Sequence, residues 1–206
     1  MNENPDTTAE HHKDYTGSKV GMWLFLLTEI LLFGGMFLIY SVLRSQHTGS
    51  FHEAAEELDV TIGTLNTLVL LTSSLTIAVS ISAIQKGRKD LSAAFLVVTI
   101  LLASIFLLNK YFEWGAKIQH GLYPKSTELL ERGEGAVLFY GLYYVMTGLH
   151  GLHVFIGIAV FTVMLILLVR GNISETDYVK LENSGLYWHL VDIIWIYLFP
   201  LFYLIS

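Results

Sequence analysis

Five long apolar segments, separated by short polar ones, constrain the fold of this chain more than any other feature. They occupy residues 20–43, 60–84, 91–112, 140–169 and 185–205. Each is about long enough to cross the ~30 Å hydrocarbon core of a bilayer as a helix. Because that core holds no water, the backbone must satisfy its hydrogen bonds within each segment, as a helix does. The sequence therefore predicts an all-α, polytopic membrane protein with five transmembrane helices in one bundle.

The composition agrees with this prediction. Only 15% of the residues are charged and 53% are hydrophobic, whereas a soluble domain carries about 25% charged residues. We divide the chain into a polar tail, residues 1–19, and one membrane domain, residues 20–206. Segments 44–59 and 115–135 are predicted to be loops. The long run 136–169 would make a helix of about 51 Å, so we interpret it as one span with an extension outside the core.

Basic residues indicate the orientation. The short turn between the second and third spans carries Lys86, Arg88 and Lys89, and cytoplasmic loops are enriched in such residues. The positive-inside rule therefore predicts a cytoplasmic N-terminus, and five spans then place the C-terminus outside.

Some chemistries are excluded by what the chain lacks. There is no cysteine, which rules out iron–sulfur clusters, covalently attached c-type haem and thiolate copper sites in this chain. The net charge of −6 gives no indication of nucleic acid binding.

Several ionisable side chains fall at membrane depth, where they are costly and mark functional positions. They are Glu29, His150, His153, His189 and Asp192, with Glu113 at one edge. His150 and His153 are three residues apart, so they are expected to share one face of a helix. Gly148 and Gly151 beside them leave bare backbone where another helix can approach.

The spacing of these residues predicts how they pair. Glu29 has no partner on its own helix, so burial favours its neutral form unless water or a base on another helix meets it. Lys110 and Glu113 are three apart and are expected to pair. His189 and Asp192 are also three apart and are expected to hydrogen-bond along the fifth helix.

Asn66 belongs to a stripe of small and polar residues in the second span (Gly63, Asn66, Ser73, Ser80), which we interpret as helix packing.

His11 and His12 lie in the tail. A surface histidine pair can gather protons near neutral pH, and the alternative is a solvated tail without a specific role.

The residues alone leave three classes of function open. Two histidines and a carboxylate can bind iron, and a histidine can ligate haem. A transporter is a second class, although five spans show no internal repeat of the kind that transporters have. The third is a helical subunit that packs against a larger complex and whose buried polar groups serve packing, lipid binding or proton transfer.

Five motifs follow one another along the chain: GMWLFLLTE at 21–29, LNT at 65–67, KYFEW at 110–114, TGLHGLHV at 147–154 and YWHLVDIIW at 187–195. In this order they resemble subunit III of the haem-copper oxidases in its five-helix bacterial form. The resemblance covers nearly all of the chain from residue 20 onward, and the five motifs together are highly specific.

The resemblance implies a subunit without a catalytic centre of its own, in an oxidoreductase and proton-translocating complex of aerobic respiration. Haem a and copper would belong to partner subunits, with subunit I as the main contact, and subunit II, a small subunit IV and a respiratory supercomplex as further partners. The chain would hold phospholipid, bind no metal, and support proton uptake and catalytic lifetime. The lack of the two extra N-terminal helices of the mitochondrial form implies a bacterial plasma membrane.

The resemblance also assigns the buried polar residues. Glu29 matches the membrane-buried carboxylate of the family that reacts with carbodiimide. The other matching positions are Asn66, Glu113, His150, His153, Trp188, His189 and Asp192. Glu29 and the LNT pattern at 65–67 favour a cytochrome c oxidase over a quinol oxidase, which remains the alternative, and a nitric oxide reductase accessory subunit is a further one.

Overall fold

The computed structural model describes residues 15–205, and this part of the chain forms seven α-helices and no strand. The helices are α1 (Tyr15–Gln46), α2 (Thr48–Glu56), α3 (Val60–Gln85), α4 (Lys89–Gln119), α5 (Thr127–Glu131), α6 (Glu134–Val169) and α7 (Val179–Tyr203). Five of them, α1, α3, α4, α6 and α7, are long and apolar enough to cross a membrane. The predicted all-α membrane protein with five spans is confirmed.

The helices are longer than the apolar runs that predicted them. α4 continues to Gln119 although its apolar run ends at 112, and α6 begins at Glu134 rather than at 140. α7 begins at Val179, six residues ahead of the predicted 185. Hydropathy marks only the ~30 Å hydrocarbon core, while a helix can continue through the polar interfacial layers on either side.

The two segments predicted as loops are partly helical. In 44–59, α2 buries Phe51, Ala54 and Ala55 on one face, and the ring of Phe51 lies 5.4 Å from that of Phe139 on α6. In 115–135, α5 is capped by Ser126, whose hydroxyl accepts from the backbone N–H of Leu129 at 3.1 Å. The prediction of loops was wrong there. In α2 the acidic residues between the apolar ones masked an i, i+3, i+4 pattern, and α5, with five residues and only Leu129 buried, is too short to show one.

Four helices form the core of the bundle. α3 and α4 make a hairpin closed by a tight turn at Gly87, whose φ of 70° favours glycine. α4 packs on α6, α6 on α7 and α7 on α3, whereas α1 lies outside this square against α6 and α7 and has no contact with α3 or α4. The outward face of α1 is correspondingly exposed, at 67% for Leu31 and 70% for Leu38.

α7 is drawn close to its neighbours by glycines. A Cβ added to Gly157 on α6 would lie 2.5 Å from Cζ3 of Trp188, and one added to Gly185 on α7 would lie 2.5 Å from Cδ1 of Ile81. Neither position has room for a methyl group without movement of a neighbour. These two contacts set the distances of α7 from α6 and α3.

The Gly157→Ala variant is expected to destabilise the bundle by about 1–3 kcal/mol, because the new methyl group would overpack against the fully buried Trp188 ring. The control is Gly141→Ala in the same helix, where a Cβ would meet nothing within 4 Å. That variant should be neutral or slightly stabilising. Thermal denaturation in detergent measures both, and equal midpoints would contradict the prediction.

Candidate functional site

The buried polar residues form separate clusters between helices rather than one site. The first joins α1 to α6. Nε2 of His153 lies 2.9 Å from Oε2 of Glu29, across 124 residues of chain. The side chains of His153 and Glu29 are 10% and 14% exposed. The sequence prediction left Glu29 without a partner unless a base on another helix met it, and His153 is that base.

The other nitrogen of His153 fixes the orientation of the ring. Nδ1 lies 2.7 Å from the carbonyl oxygen of Leu149, which can only accept, so Nδ1 carries a hydrogen. Nε2 is therefore the nitrogen that contacts the Glu29 carboxyl and joins α1 to α6.

The second cluster is a closed ring of four side chains from α4, α6 and α7. Nζ of Lys110 donates to Oε2 of Glu113 at 3.0 Å, to the Tyr143 hydroxyl at 3.1 Å and to the Tyr203 hydroxyl at 2.8 Å. The two hydroxyls also donate to Oε1 of Glu113, at 2.6 Å and 2.5 Å. The predicted pairing of Lys110 with Glu113 is therefore present, with both side chains buried.

A second cation lies beside this ring. Lys117 is 7% exposed, and its Nζ lies 5.8 Å from the centre of the Tyr143 ring. The faces of tyrosine rings attract cations, and Lys110 lies over both tyrosines and over Trp195 as well. Nothing in the spacing of the sequence identified Tyr143, Tyr203 or Lys117, because their relation to Glu113 is created by the packing of three helices.

The third cluster lies between α3 and α7. Nδ1 of His189 lies 2.7 Å from Oγ of Ser74 on α3. Asp192 is 3% exposed and approaches Ser74 too, but neither of its oxygens has a hydrogen-bond partner among residues 15–205. The prediction of a hydrogen bond between His189 and Asp192 was wrong, because Nδ1 of His189 bonds the hydroxyl of Ser74 on α3 instead.

Two other predicted residues tie helices together. Nε1 of Trp188 donates to Oγ of Ser73 at 3.0 Å, and Nδ2 of Asn109 donates to Oδ1 of Asn66 at 2.8 Å. All four members of the stripe in α3, Gly63, Asn66, Ser73 and Ser80, are buried. They lie where α3 meets α4 and α7, as helix packing requires.

His150 and His153 have different surroundings although they are three residues apart. The His150 ring is fully buried, 5.5 Å from the Phe106 ring and 5.2 Å from the Trp195 ring. Neither of its nitrogens has a partner in the described part of the chain. His153 instead faces α1 and lies 5.4 Å from the ring of Phe33.

The glycines beside these histidines contact α4 side chains. A Cβ on Gly148 would lie 3.1 Å from the Trp114 ring, and one on Gly151 would lie 3.9 Å from Leu107. Within residues 15–205, no three histidine or carboxylate side chains are grouped as metal ligands. His11 and His12 lie outside the described residues.

Comparison with known proteins matches the chain to one family model and to relatives named as oxidase subunits. The family model described as cytochrome c oxidase subunit III matches residues 4–206. A cytochrome c oxidase subunit 3 from Thermostichus vulcanus is 32% identical over 96% of this chain and 91% of its own length. A probable quinol oxidase subunit 3 from Staphylococcus haemolyticus is 28% identical over 98% of this chain and 96% of its own.

A further relative joins two subunits in one name. The haem-copper oxidase subunit I+III of Aeropyrum pernix is 31% identical over 89% of this chain. The match spans only 22% of that protein, so this chain corresponds to a small part of it.

The link between α1 and α6 predicts a difference between two replacements of Glu29. Glu29→Gln can donate an amide hydrogen to Nε2 of His153 and should keep the link. Glu29→Leu leaves that nitrogen buried without a partner, at a cost of about 1–3 kcal/mol. The amount of sodium dodecyl sulfate needed to unfold half of the protein should fall clearly for the leucine variant only. A similar loss in both would show that the hydrogen bond does not stabilise the bundle.

The ring around Lys110 predicts that single replacements are worse than a double one. Glu113→Leu should destabilise the bundle by about 3–5 kcal/mol, because it leaves the Lys110 charge buried without its carboxylate. The double variant Lys110→Met with Glu113→Leu removes both charges and should recover most of that loss. Thermal midpoints and yields of folded protein measure the effect. A double variant as unstable as the sum of the two singles would contradict the pairing.

Proposed function

Because the chain belongs to the cytochrome c oxidase subunit III family, we propose that it is the non-catalytic subunit III of an aa3-type cytochrome c oxidase. That complex reduces oxygen to water in aerobic respiration. The observation that carries the proposal is the family match over residues 4–206, together with the five spans of the bundle.

Cytochrome c as the electron donor is supported by sequence. Relatives named for cytochrome c and for quinol oxidases match at 32% and 28% identity. Glu29 and the LNT pattern at 65–67 favour the cytochrome c type. A quinol oxidase subunit III is the second candidate, and the quinol relatives that cover nearly all of this chain favour it.

Subunit I is the proposed main partner. The relative named as subunit I+III carries both in one protein, which supports a direct contact between them. We extend the partners to subunit II and a small subunit IV. The redox groups, haem a and copper, are placed in subunits I and II, so that electron transfer and oxygen chemistry occur outside this chain.

The chain is proposed to stabilise the complex and to support proton uptake. Its membrane-facing grooves can hold phospholipid. One of about 240 Å³ lies between α1, α6 and α7 and is lined by Met22, Phe25, Ile156 and Tyr187, among others. Lipid held there would brace subunit I, and the contact between Glu29 and His153 gives the bundle one pair of ionisable side chains at membrane depth.

We place the complex in a bacterial plasma membrane with the N-terminus in the cytoplasm. The turn that carries Lys86, Arg88 and Lys89 supports this orientation. The tail with His11 and His12 would then lie on the side from which protons are taken up.

Purification of the tagged chain in mild detergent tests the assignment. We expect two larger subunits, haem a absorbance and oxygen consumption with reduced cytochrome c as donor. Oxygen consumption with quinol alone would instead identify the second candidate. A transporter or a separate metalloenzyme would purify without haem-bearing partners and would overturn the proposal.

Removal of the subunit should shorten the catalytic lifetime of the oxidase while leaving the initial rate of oxygen reduction largely intact, because the chain holds no redox group. Proton uptake should slow increasingly as the pH rises, since fewer free protons are then available.

Replacing His11 and His12 alone should give a weaker form of this pH effect and a normal lifetime. The number of turnovers before inactivation is the measurement. Equal numbers with and without the subunit would contradict the stabilising role.

A further inference from the structure

One face of the bundle is formed by α1, α7 and α3, with α7 in the middle. α7 contacts both of the others, while α1 and α3 have no contact with each other. The outward side of α7 is open, with Ile193 at 49%, Ile196 at 43% and Tyr197 at 59% exposure. On the α3 side, Leu75 is 63% exposed.

This face carries a polar group near the middle of α7. His189 is only half-buried, and it lies about 15 Å along α7 from Val179 and about 21 Å from Tyr203. Its Nδ1 is taken by Ser74, and its Nε2 has no partner among residues 15–205. Asp192, one turn further along, is nearly fully buried and has no hydrogen bond to either oxygen in the described chain.

Lipid is a poor cover for such a cluster. Acyl chains offer no hydrogen-bonding group, so imidazole and carboxyl groups that face them remain unsatisfied. Ionisable groups at membrane depth therefore face protein or water-filled space rather than lipid. The exposed side chains on α4 and α6 are largely apolar, for example Leu101 and Ile105 on α4 and Leu152 and Phe155 on α6. The exposed hydroxyl of Thr162 on α6 donates to the carbonyl oxygen of Ile158 in its own helix.

We infer that the α1–α7–α3 face is the surface on which this chain docks to the catalytic subunit, through a transmembrane helix that presents a hydroxyl or amide group to Nε2 of His189. Ser74 bonds the other ring nitrogen of His189, and Asp192 lies buried on the inner side of this contact. The exposed Ile193, Ile196 and Leu75 around it pack against the partner helix. The inference rests on the proposed function, because it takes subunit I as the occupant. The joint naming of subunits I and III in a relative supports this choice.

Photo-crosslinking in the intact complex tests the location. A benzophenone amino acid is placed at Ile193 or Leu75, and in control proteins at Ile105 or Phe155, which are exposed on α4 and α6. We expect crosslinks to the large haem-bearing subunit from the first two positions, and lipid adducts from the controls. The reverse pattern, or lipid adducts from all four positions, would overturn the docking face. Failure of the wild-type chain to co-purify with haem would instead overturn the proposed function, so the two failures are distinguishable.

Variants of His189 test the polar contact itself. His189→Leu should raise the fraction of chain that dissociates from the complex in detergent about tenfold, the change that 1.4 kcal/mol produces. His189→Gln, which keeps a hydrogen-bonding side chain, should dissociate much less. The thermal midpoint of the isolated chain is the second measurement. If His189 acted only on the fold, His189→Leu would lower this midpoint as clearly as it increases dissociation. Equal dissociation of the two variants would overturn the contact.

Discussion

The absence of water from the membrane interior is the constraint on which the rest of this structure depends. Every polar side chain within the bundle must find a partner in its own helix or on another helix, or remain unsatisfied at a cost. The hydrogen bonds between helices therefore specify which helices are neighbours. Lys110, Glu113, Tyr143 and Tyr203 bring three helices to one point, and Ser73 and Ser74 fix the position of α7 beside α3.

α1 is packed less extensively in the bundle than the other four long helices. α3, α4, α6 and α7 enclose a shared core, and glycines allow α7 to approach two of its neighbours at close range. α1 is attached from outside at a few points. Besides the contact of Glu29 with His153, Lys19 pairs with Glu182 at 3.1 Å near one end, and the Tyr40 hydroxyl donates to the carbonyl of Leu201 near the other. Specific polar contacts thus hold the most exposed helix in place.

Sequence reasoning could predict the spans and the ionisable set, because both depend on hydropathy along one chain. It could also predict Lys110 with Glu113, since a spacing of three places two side chains together on any helix. The same spacing was misleading for His189 and Asp192, where a hydroxyl from α3 competes. Spacing also does not predict that His150 packs against rings on α4 and α7, while His153 bonds Glu29 on α1 and lies near Tyr187 on α7. Spacing describes neighbours within a helix, whereas the partners of Glu29, His189 and Glu113 depend on how separate helices are arranged in space.

The distance in sequence between Glu29 and His153 has a consequence for biosynthesis. They are 124 residues apart, and a ribosome adds roughly 5–20 residues per second. α1 is therefore made roughly 6–25 s before the segment that carries its histidine partner. During that interval the helix holds a carboxyl without its base, and both of the long helices that it will pack against, α6 and α7, are still to be synthesised. The contact that joins α1 to α6 can therefore form only after most of the chain has been inserted.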